Sequence, residues 1–375
     1  MSELSQESLK MIGGQESYFT GKLEAYFRAK GIDYENIPFT MGELEAAASR
    51  TGFFQIPQVL APNEEWLIDT TLIIDYFDNK LPEPQVSPID PAANFIALLL
   101  EDYADEWLWR PAMHYRWSYP ASYELTSRWL AEHVVDPETT LEQKREEWIA
   151  RQHGIFVVGD GVTEDNRGAV ESSYLDTLKV LESIFQSRDY ILGDRPTQAD
   201  FGFMGPFFRH FFCDPHPARI MRDTAPAVHE WVARMWNIKP QGFSNASQIT
   251  AISDDIQPLL EPVVEAYLSY LQVNEAAVLN EQETVSYEAL DAHFTEPAKP
   301  YRLWCLDQLR KQYQLLDMEA QGSVLRTLGA DASALLAKPL SGFADSIIPE
   351  LPIKPTDPDR SFVDSWGRKP GEPGD

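Results

Sequence analysis

One stretch, residues 52–77, constrains the fold more than any other part of the chain. It begins with an apolar, strand-like segment around Pro57, turns at residues 61–64, and continues as a second short apolar run at 66–68. Asp69 follows as a helix N-cap, and apolar residues recur at helical spacing behind it. A strand, a turn, a strand and a capped helix are therefore predicted within a very short segment.

Two features of this stretch suggest chemistry. Pro57 removes a ladder hydrogen bond, so it belongs either at a sheet edge or in a cis peptide bond that turns the backbone outward. Outward-facing backbone groups could pair with a bound peptide. Asp69 and Thr70 lie at a helix N-terminus, where free N–H groups favour an anion. Such a site can hold an amino acid's carboxylate on the N–H groups and its ammonium on Asp69, although an edge proline beside an ordinary cap is the alternative.

These residues resemble a known family. The segments Ile-Pro-Gln-Val at 56–59 and Ile-Asp-Thr-Thr-Leu-Ile-Ile-Asp-Tyr-Phe at 68–77 look like the glutathione-binding half of glutathione transferases. In that family a cis-proline segment is followed by a pair of residues at a helix start. The first of the pair is an acid or glutamine, and the second is serine or threonine. The resemblance implies that glutathione is a co-substrate, with the cysteinyl part held beside Ile56 and Pro57. It implies that Asp69 and Thr70 hold the γ-glutamyl part.

Bulk composition excludes several classes of protein. The chain has 375 residues, which is enough for two or three domains. A net charge of −28 argues against nucleic acid or anionic lipid as the main partner. The two cysteines, Cys213 and Cys305, form no disulfide framework, and the apolar run at 95–100 is too short to span a bilayer. We expect a cytoplasmic protein with no membrane insertion and no nucleic-acid partner.

The order of patterns predicts the fold class. Strand, helix, strand, a loop or short helix at 41–51, and then strand, strand and helix suggest a small mixed sheet flanked by helices. We expect an α/β thioredoxin-like N-terminal domain, an all-α helical bundle domain and a mainly helical C-terminal extension. The predicted boundaries are 1–81 for the first domain, 82–91 for a proline-rich linker, 92–239 for the helical glutathione-transferase C-terminal-like domain, 240–348 for the helical extension and 349–375 for an irregular tail. The chain lacks a Cys-x-x-Cys motif, which excludes dithiol redox chemistry.

Ser17 is the candidate catalytic residue. It lies at the predicted start of the first helix, where a hydroxyl beside free N–H groups can donate to a bound thiolate and lower the thiol's pKa. The resemblance places Ser17 at the family's catalytic serine or cysteine position. Tyr18 and Thr20 are the alternatives, in which case Ser17 is only an N-cap. The segment at 22–28 also looks like metaxin-type or failed-axon-connections-type members, many of which are thought to bind partners rather than catalyse.

Aromatic and cationic residues are mixed at the end of the next predicted helix. If this domain follows the family, they border the cleft for the electrophilic substrate, where cations could meet an anionic group. The alternative is a helix–helix contact or a dimer interface. The candidate cleft residues are Trp107, Arg110, His114 and Arg116.

A second motif, at residues 190–201, resembles the helix start in the family's C-terminal domain. Thr197 and Asp200 are three residues apart ahead of an apolar run, which predicts a capping box. We assign both residues a structural role. No metal is expected, because the possible ligands at 210–216 match no standard zinc spacing and the acidic loop at 159–165 fails the EF-hand pattern.

The combined prediction is a glutathione transferase-like enzyme. It would stabilise the glutathione thiolate and attack an apolar small-molecule electrophile. The alternative is a non-catalytic binding protein of the same fold, whose acidic surface and extension recruit a partner. A hydrolase function is not supported, because the sequence contains no Gly-x-Ser-x-Gly motif. We expect a homodimer.

Overall fold

The computed structural model describes residues 8–133, 139–342, 347–348 and 351–353. The N-terminal part contains β1 (Leu9–Gly13), α1 (Tyr18–Lys30), β2 (Tyr34–Pro38), α2 (Met41–Thr51), β3 (Gln58–Leu60), β4 (Trp66–Leu67) and α3 (Thr70–Lys80). The four strands form one sheet in the order β2-β1-β3-β4. Strand β1 runs parallel to β2 and antiparallel to β3, and β3 runs antiparallel to β4. This is the thioredoxin-like arrangement predicted from the sequence, and segment 41–51 is a helix.

Helix α1 has well-defined ends. The Ser17 side chain caps its N-terminus by accepting a hydrogen bond from the Thr20 amide, at 3.2 Å. Gly31 ends the helix with φ 67°, a left-handed conformation that glycine adopts without steric cost. Leu23 and Tyr26 are fully buried on its inner face. The first turn of α1 is thereby held in place against the sheet.

A run of helices follows the sheet. These are α4 (Pro91–Glu106), α5 (Trp109–Trp117), α6 (Pro120–His133), α7 (Leu141–Phe156), α8 (Arg167–Phe185), α9 (Gln198–Pro206), α10 (Pro215–Thr224), α11 (Pro226–Trp236) and α12 (Pro240–Phe243). A π-helical segment, Phe207–Phe212, continues α9. Helices α4 and α9 lie so close that a Cβ on Gly202 would approach the Glu101 Cα to 2.7 Å. Within the described residues, no helix combines the length and apolarity needed to cross a bilayer.

The predicted capping box lies at the start of α9. The Asp200 carboxylate accepts from the Thr197 amide at 2.9 Å, from the Ile191 amide at 3.0 Å and from the Trp231 indole at 3.2 Å. Burial raises the pKa of Asp200 to about 6, although these donors oppose the shift. Asp200 therefore connects the loop before α9 to helix α11, away from the cavity described below.

The C-terminal extension is helical except for one hairpin. It contains α13 (Gln257–Pro262), a π-helical segment (Val263–Leu268), α14 (Ser269–Leu279), β5 (Thr284–Ala289), β6 (Ala292–Pro297), α15 (Pro300–Leu315), α16 (Met318–Leu328) and α17 (Ala330–Leu336). Strands β5 and β6 were not predicted, although Val285, Tyr287 and Ala289 of β5 alternate with exposed residues. Leu290 and Asp291 form the tight turn between the strands with φ values of 53° and 56°.

The extension packs back onto the N-terminal sheet. Ile353 pairs with Trp66 of β4 through two backbone hydrogen bonds, of 2.8 and 2.9 Å. Trp304 of α15 joins Trp66 and Ile68 in a small apolar cluster. Burial of this cluster places the start of α15 directly beside the start of α3.

Candidate functional site

A cavity of about 830 Å³ lies between the N-terminal sheet and the helices. The loop before α1, the segment before β3 and the start of α3 form its wall on the side of the sheet. Helices α5 and α7 and the start of α15 also line it. Its volume is in the range of small-molecule sites in proteins.

Ile56 and Pro57 both line this cavity. The peptide bond between them is cis, which is one of the two forms that the sequence left open. Strand β3 begins immediately afterwards, at Gln58, and pairs with β1. The sheet therefore presents the Ile56–Pro57 segment to the cavity.

Asp69 and Thr70 line the same cavity at the start of α3. Asp69 is the N-cap, and its Oδ1 accepts from the amides of Thr71 and Leu72, at 3.1 and 3.3 Å. Its other oxygen, Oδ2, accepts from the Tyr301 hydroxyl at 2.7 Å. The Asp69 backbone has φ 64°, a sparsely populated conformation of the kind that clusters at ligand sites. The carboxylate is thus held by hydrogen bonds on both oxygens.

The three candidate hydroxyls differ in their surroundings. Ser17 is half-buried and lines the cavity, and its Oγ accepts from the Thr20 amide, which leaves its own proton available. The Tyr18 ring lines the cavity, but its hydroxyl donates to the Ala104 carbonyl. Burial, with a smaller effect of the nearby carboxylates, holds the pKa of Tyr18 well above its usual value. Thr20 is buried and is not part of the cavity wall.

Arg116 lines the cavity but serves to hold the protein together. Its guanidinium donates to the Asp214 carboxylate at 2.8 and 3.1 Å and to the carbonyls of Glu16, at 2.7 Å, and Arg209. These bonds anchor the residue before Ser17 to the helical domain. Arg116 therefore positions the loop before α1, and its role in meeting an anionic substrate group stays a prediction.

Trp107, Arg110 and His114, which were predicted for the substrate cleft, lie outside the cavity wall. Trp107 ends α4, and helix α5 turns a face other than that of Arg110 and His114 to the cavity. The three side chains instead meet other partners, which are Tyr267 and Tyr270 for Trp107, Glu296 for Arg110 and Glu171 for His114. The residues of α5 that do line the cavity are Trp109, Met113, Arg116 and Trp117.

The apolar wall contributed by α7 was not predicted. Trp148, Ile155 and Phe156 line the cavity, and Trp148 and Ile155 are two helical turns apart on one face. That spacing was the available signal, but it does not show what the face contacts. These three residues give a ligand an apolar surface, beside four polar residues of the same helix that also line the cavity, Lys144, Glu147, Arg151 and Gln152.

The extension contributes to the cavity as well. Lys299, Tyr301 and Arg302 line it, and Arg302 donates to the Glu106 carboxylate at 3.0 Å. Tyr301 and Asp69 are 232 residues apart in sequence. No local pattern connects residues at that separation, so the contact between Tyr301 and Asp69 could not be predicted from the sequence.

Throughout the described ranges, no three His, Cys, Asp or Glu side chains are grouped so that they could hold a metal ion.

The fold and the cavity define a two-domain class of protein, in which a thioredoxin-like domain presents a cis-proline segment and an acidic helix cap beside a helical domain. Residues 146–234 match the family model described as glutathione S-transferase, C-terminal domain. Over this segment of the helical domain, the chain is similar to the glutathione transferase superfamily. The similarity to metaxin-type members stays a prediction.

Solved structures with similar architecture include three of diverse origin. A glutathione S-transferase from Methylobacterium radiotolerans, in complex with glutathione sulfonate, is 15% identical with a TM-score of 0.38, and the match covers 66% of this chain and 98% of that one. A Tau class glutathione S-transferase from mango, Mangifera indica, is 16% identical with a TM-score of 0.36, over 61% and 88%. A beta-etherase from a Sphingobium species is 15% identical with a TM-score of 0.43, over 65% and 97%. At TM-scores below 0.5 these similarities add nothing to the assignment. No curated protein matches the sequence.

Proposed function

We propose that the protein binds glutathione and transfers its thiolate to an apolar electrophile. The observation that carries this proposal is the convergence of three separate segments on one cavity. Ser17, the Ile56–Pro57 segment and the Asp69–Thr70 pair all line it, and an apolar wall from α7 completes it. Asp69 would hold the γ-glutamyl ammonium, and Thr70, the first residue of α3, would hold the adjacent carboxylate through its amide and hydroxyl.

The proposed chemistry requires a thiolate at neutral pH. A free cysteine thiol has a pKa of about 8.5, and the N-terminus of α1 together with a donated hydrogen bond from Ser17 would lower it. The thiolate sulfur then attacks the electrophilic carbon, forming a carbon–sulfur bond as the leaving group departs with its electron pair. The apolar wall favours a substrate with an apolar body.

Retention on glutathione-agarose, combined with turnover of an aryl halide, tests the proposal. Binding with turnover supports a transferase. Binding without turnover would favour the non-catalytic alternative, and failure to bind would rule out the transferase.

Ser17→Ala separates the catalytic step from binding. We expect kcat to fall about a hundredfold with little change in the glutathione Kd, because one donor to the developing charge is lost. Thr20→Val is the matched control, since it removes a buried hydroxyl from the same helix outside the cavity. Unchanged steady-state kinetics in Ser17→Ala would remove Ser17 from the mechanism.

We further propose a cytoplasmic homodimer. The location rests on the two free cysteines, Cys213 and Cys305, and the homodimer remains an expectation from the sequence. Light scattering would measure the oligomeric state.

A further inference from the structure

The extension reaches the residue on which the proposed ammonium site depends. Tyr301, at the start of α15, donates its hydroxyl proton to Asp69 Oδ2 at 2.7 Å. Both side chains line the same cavity. The proposed γ-glutamyl site therefore combines a residue of the N-terminal domain with a residue of the C-terminal extension.

Packing fixes the position of Tyr301 without a ligand. Its ring stacks on Trp304, with centroids 5.5 Å apart and an interplanar angle of 26°. Trp304 in turn belongs to an apolar cluster with Trp66 and Ile68, which lie three residues and one residue before Asp69 in the chain. The neighbouring Arg302 is tied to Glu106 of α4. These contacts hold the Tyr301 hydroxyl beside Asp69 as part of the fold.

The phenol can bind both Asp69 and a ligand. A tyrosine hydroxyl has one proton to donate and lone pairs that accept. Burial and the Asp69 carboxylate hold the pKa of Tyr301 well above its usual value, so the proton stays on the oxygen. Because that proton is directed to Asp69, the lone pairs remain for a donor in the cavity.

We propose that Tyr301 is part of the ammonium-binding site: it orients the Asp69 carboxylate, and its oxygen accepts a second hydrogen bond from the γ-glutamyl ammonium. This inference rests on the proposed binding of glutathione. It makes the extension a component of the ligand site.

The experiment compares two ligands in three proteins. Calorimetric titration measures the Kd of glutathione and of its analogue lacking the α-amino group, glutaryl-cysteinylglycine, for wild type, Tyr301→Phe and Tyr267→Phe. Tyr267 is the matched control, because it also lies in the extension and donates to a carboxylate, Asp102, but does not line the cavity. We expect Tyr301→Phe to raise the glutathione Kd about tenfold and to leave the analogue's Kd within about twofold. Tyr267→Phe should change neither Kd.

The outcomes distinguish this inference from the proposed function. Absence of glutathione binding in wild type would overturn both. Glutathione binding that is unchanged in Tyr301→Phe would overturn only the role of Tyr301. An equal loss for both ligands would show a purely structural role, and tighter binding would show that Tyr301 competes with the ammonium; either result would overturn the inference. Thermal unfolding of Tyr301→Phe and Tyr267→Phe reports whether each variant is folded.

Discussion

At the residue scale, Asp69 combines structural and proposed binding roles. Its carboxylate caps α3, accepts from Tyr301 and lines the cavity. Its backbone lies at φ 64°, which costs on the order of 1–3 kcal/mol for a residue other than glycine. Surrounding structure must offset that cost, and the two hydrogen-bonded oxygens and the packed helix do so.

Asp69→Asn tests the charge without removing the cap. Asparagine can still accept from the α3 amides, so we expect little change in thermal stability. Losing the negative charge should raise the glutathione Kd about tenfold or more, because the ammonium loses its counter-ion. Calorimetric titration and thermal unfolding measure the two effects.

Asp69→Ala serves as the comparison. It loses the cap as well, which should cost about 1 kcal/mol of stability in addition to the weaker binding. An Asp69→Asn protein that binds glutathione as tightly as wild type would exclude Asp69 as the ammonium ligand.

At the element scale, the contact between α4 and α9 positions the cavity. Helix α4 carries Glu101 and Asp105, which form buried ion pairs with Lys22 of α1. Helix α9 approaches α4 at Gly202, where no side chain separates the two backbones. The orientation of α1, and with it Ser17, therefore depends on this close packing.

Gly202→Ala should disrupt that packing. The added methyl group would lie 2.7 Å from the Glu101 Cα, a backbone atom that cannot move aside alone. We expect a loss of about 1–3 kcal/mol in the free energy of unfolding, measured by urea denaturation.

Gly168→Ala is the control for this change. Gly168 lies in α8, and its Cβ would meet no atom within 4 Å. Alanine there should leave stability unchanged or raise it by up to about 1 kcal/mol. Equal stability of the two variants would show that α4 and α9 tolerate a wider separation.

At the scale of the whole molecule, a buried ion cluster joins the extension to the helical domain. Glu296 of β6 accepts from Arg110 of α5 at 2.6 Å, from Lys299 at 2.7 Å and from Arg302 at 3.4 Å. These three cations lower the pKa of Glu296 to about 2, against the opposing effect of burial. The cluster spans α5, β6 and the start of α15, so it supports the position of Tyr301.

Glu296→Gln should lower the free energy of unfolding by an amount that depends on pH. At pH 7 we expect a loss of about 3–5 kcal/mol in the free energy of unfolding, because three buried cations lose their shared carboxylate. The folded-state pKa lies below the ordinary value of 4.5, so the stabilisation by Glu296 is complete above about pH 4.5 and is lost as the pH falls towards 2. The difference between wild type and variant should shrink over that interval, as measured by denaturation at a series of pH values.

The exposed Glu288 of β5 provides the control. Its side chain is 75% exposed and pairs with His293 at 2.8 Å. Glu288→Gln should leave stability within about 0.5 kcal/mol at every pH. A Glu296→Gln loss that does not depend on pH would contradict the electrostatic account.

Local features were predicted well because their causes are local. The Asp69 cap, the strands on either side of the turn and the ends of α1 depend on residues a few positions apart. The same proximity explains why Asp200 could be assigned to a helix start. The β5–β6 hairpin was missed although its alternation was visible in the sequence.

The thioredoxin-like order, the capped start of α3 and the three candidate hydroxyls near the start of α1 could be predicted from the sequence, because turns, caps and periodicity act over short separations. The positions of Trp107 at the end of α4, and of Arg110 and His114 on α5, away from the cavity came from the tertiary structure, since helix orientation depends on packing against distant elements. The tertiary structure alone brought Tyr301 to Asp69 across 232 residues, because burial of Trp304 against the sheet sets the path of the extension.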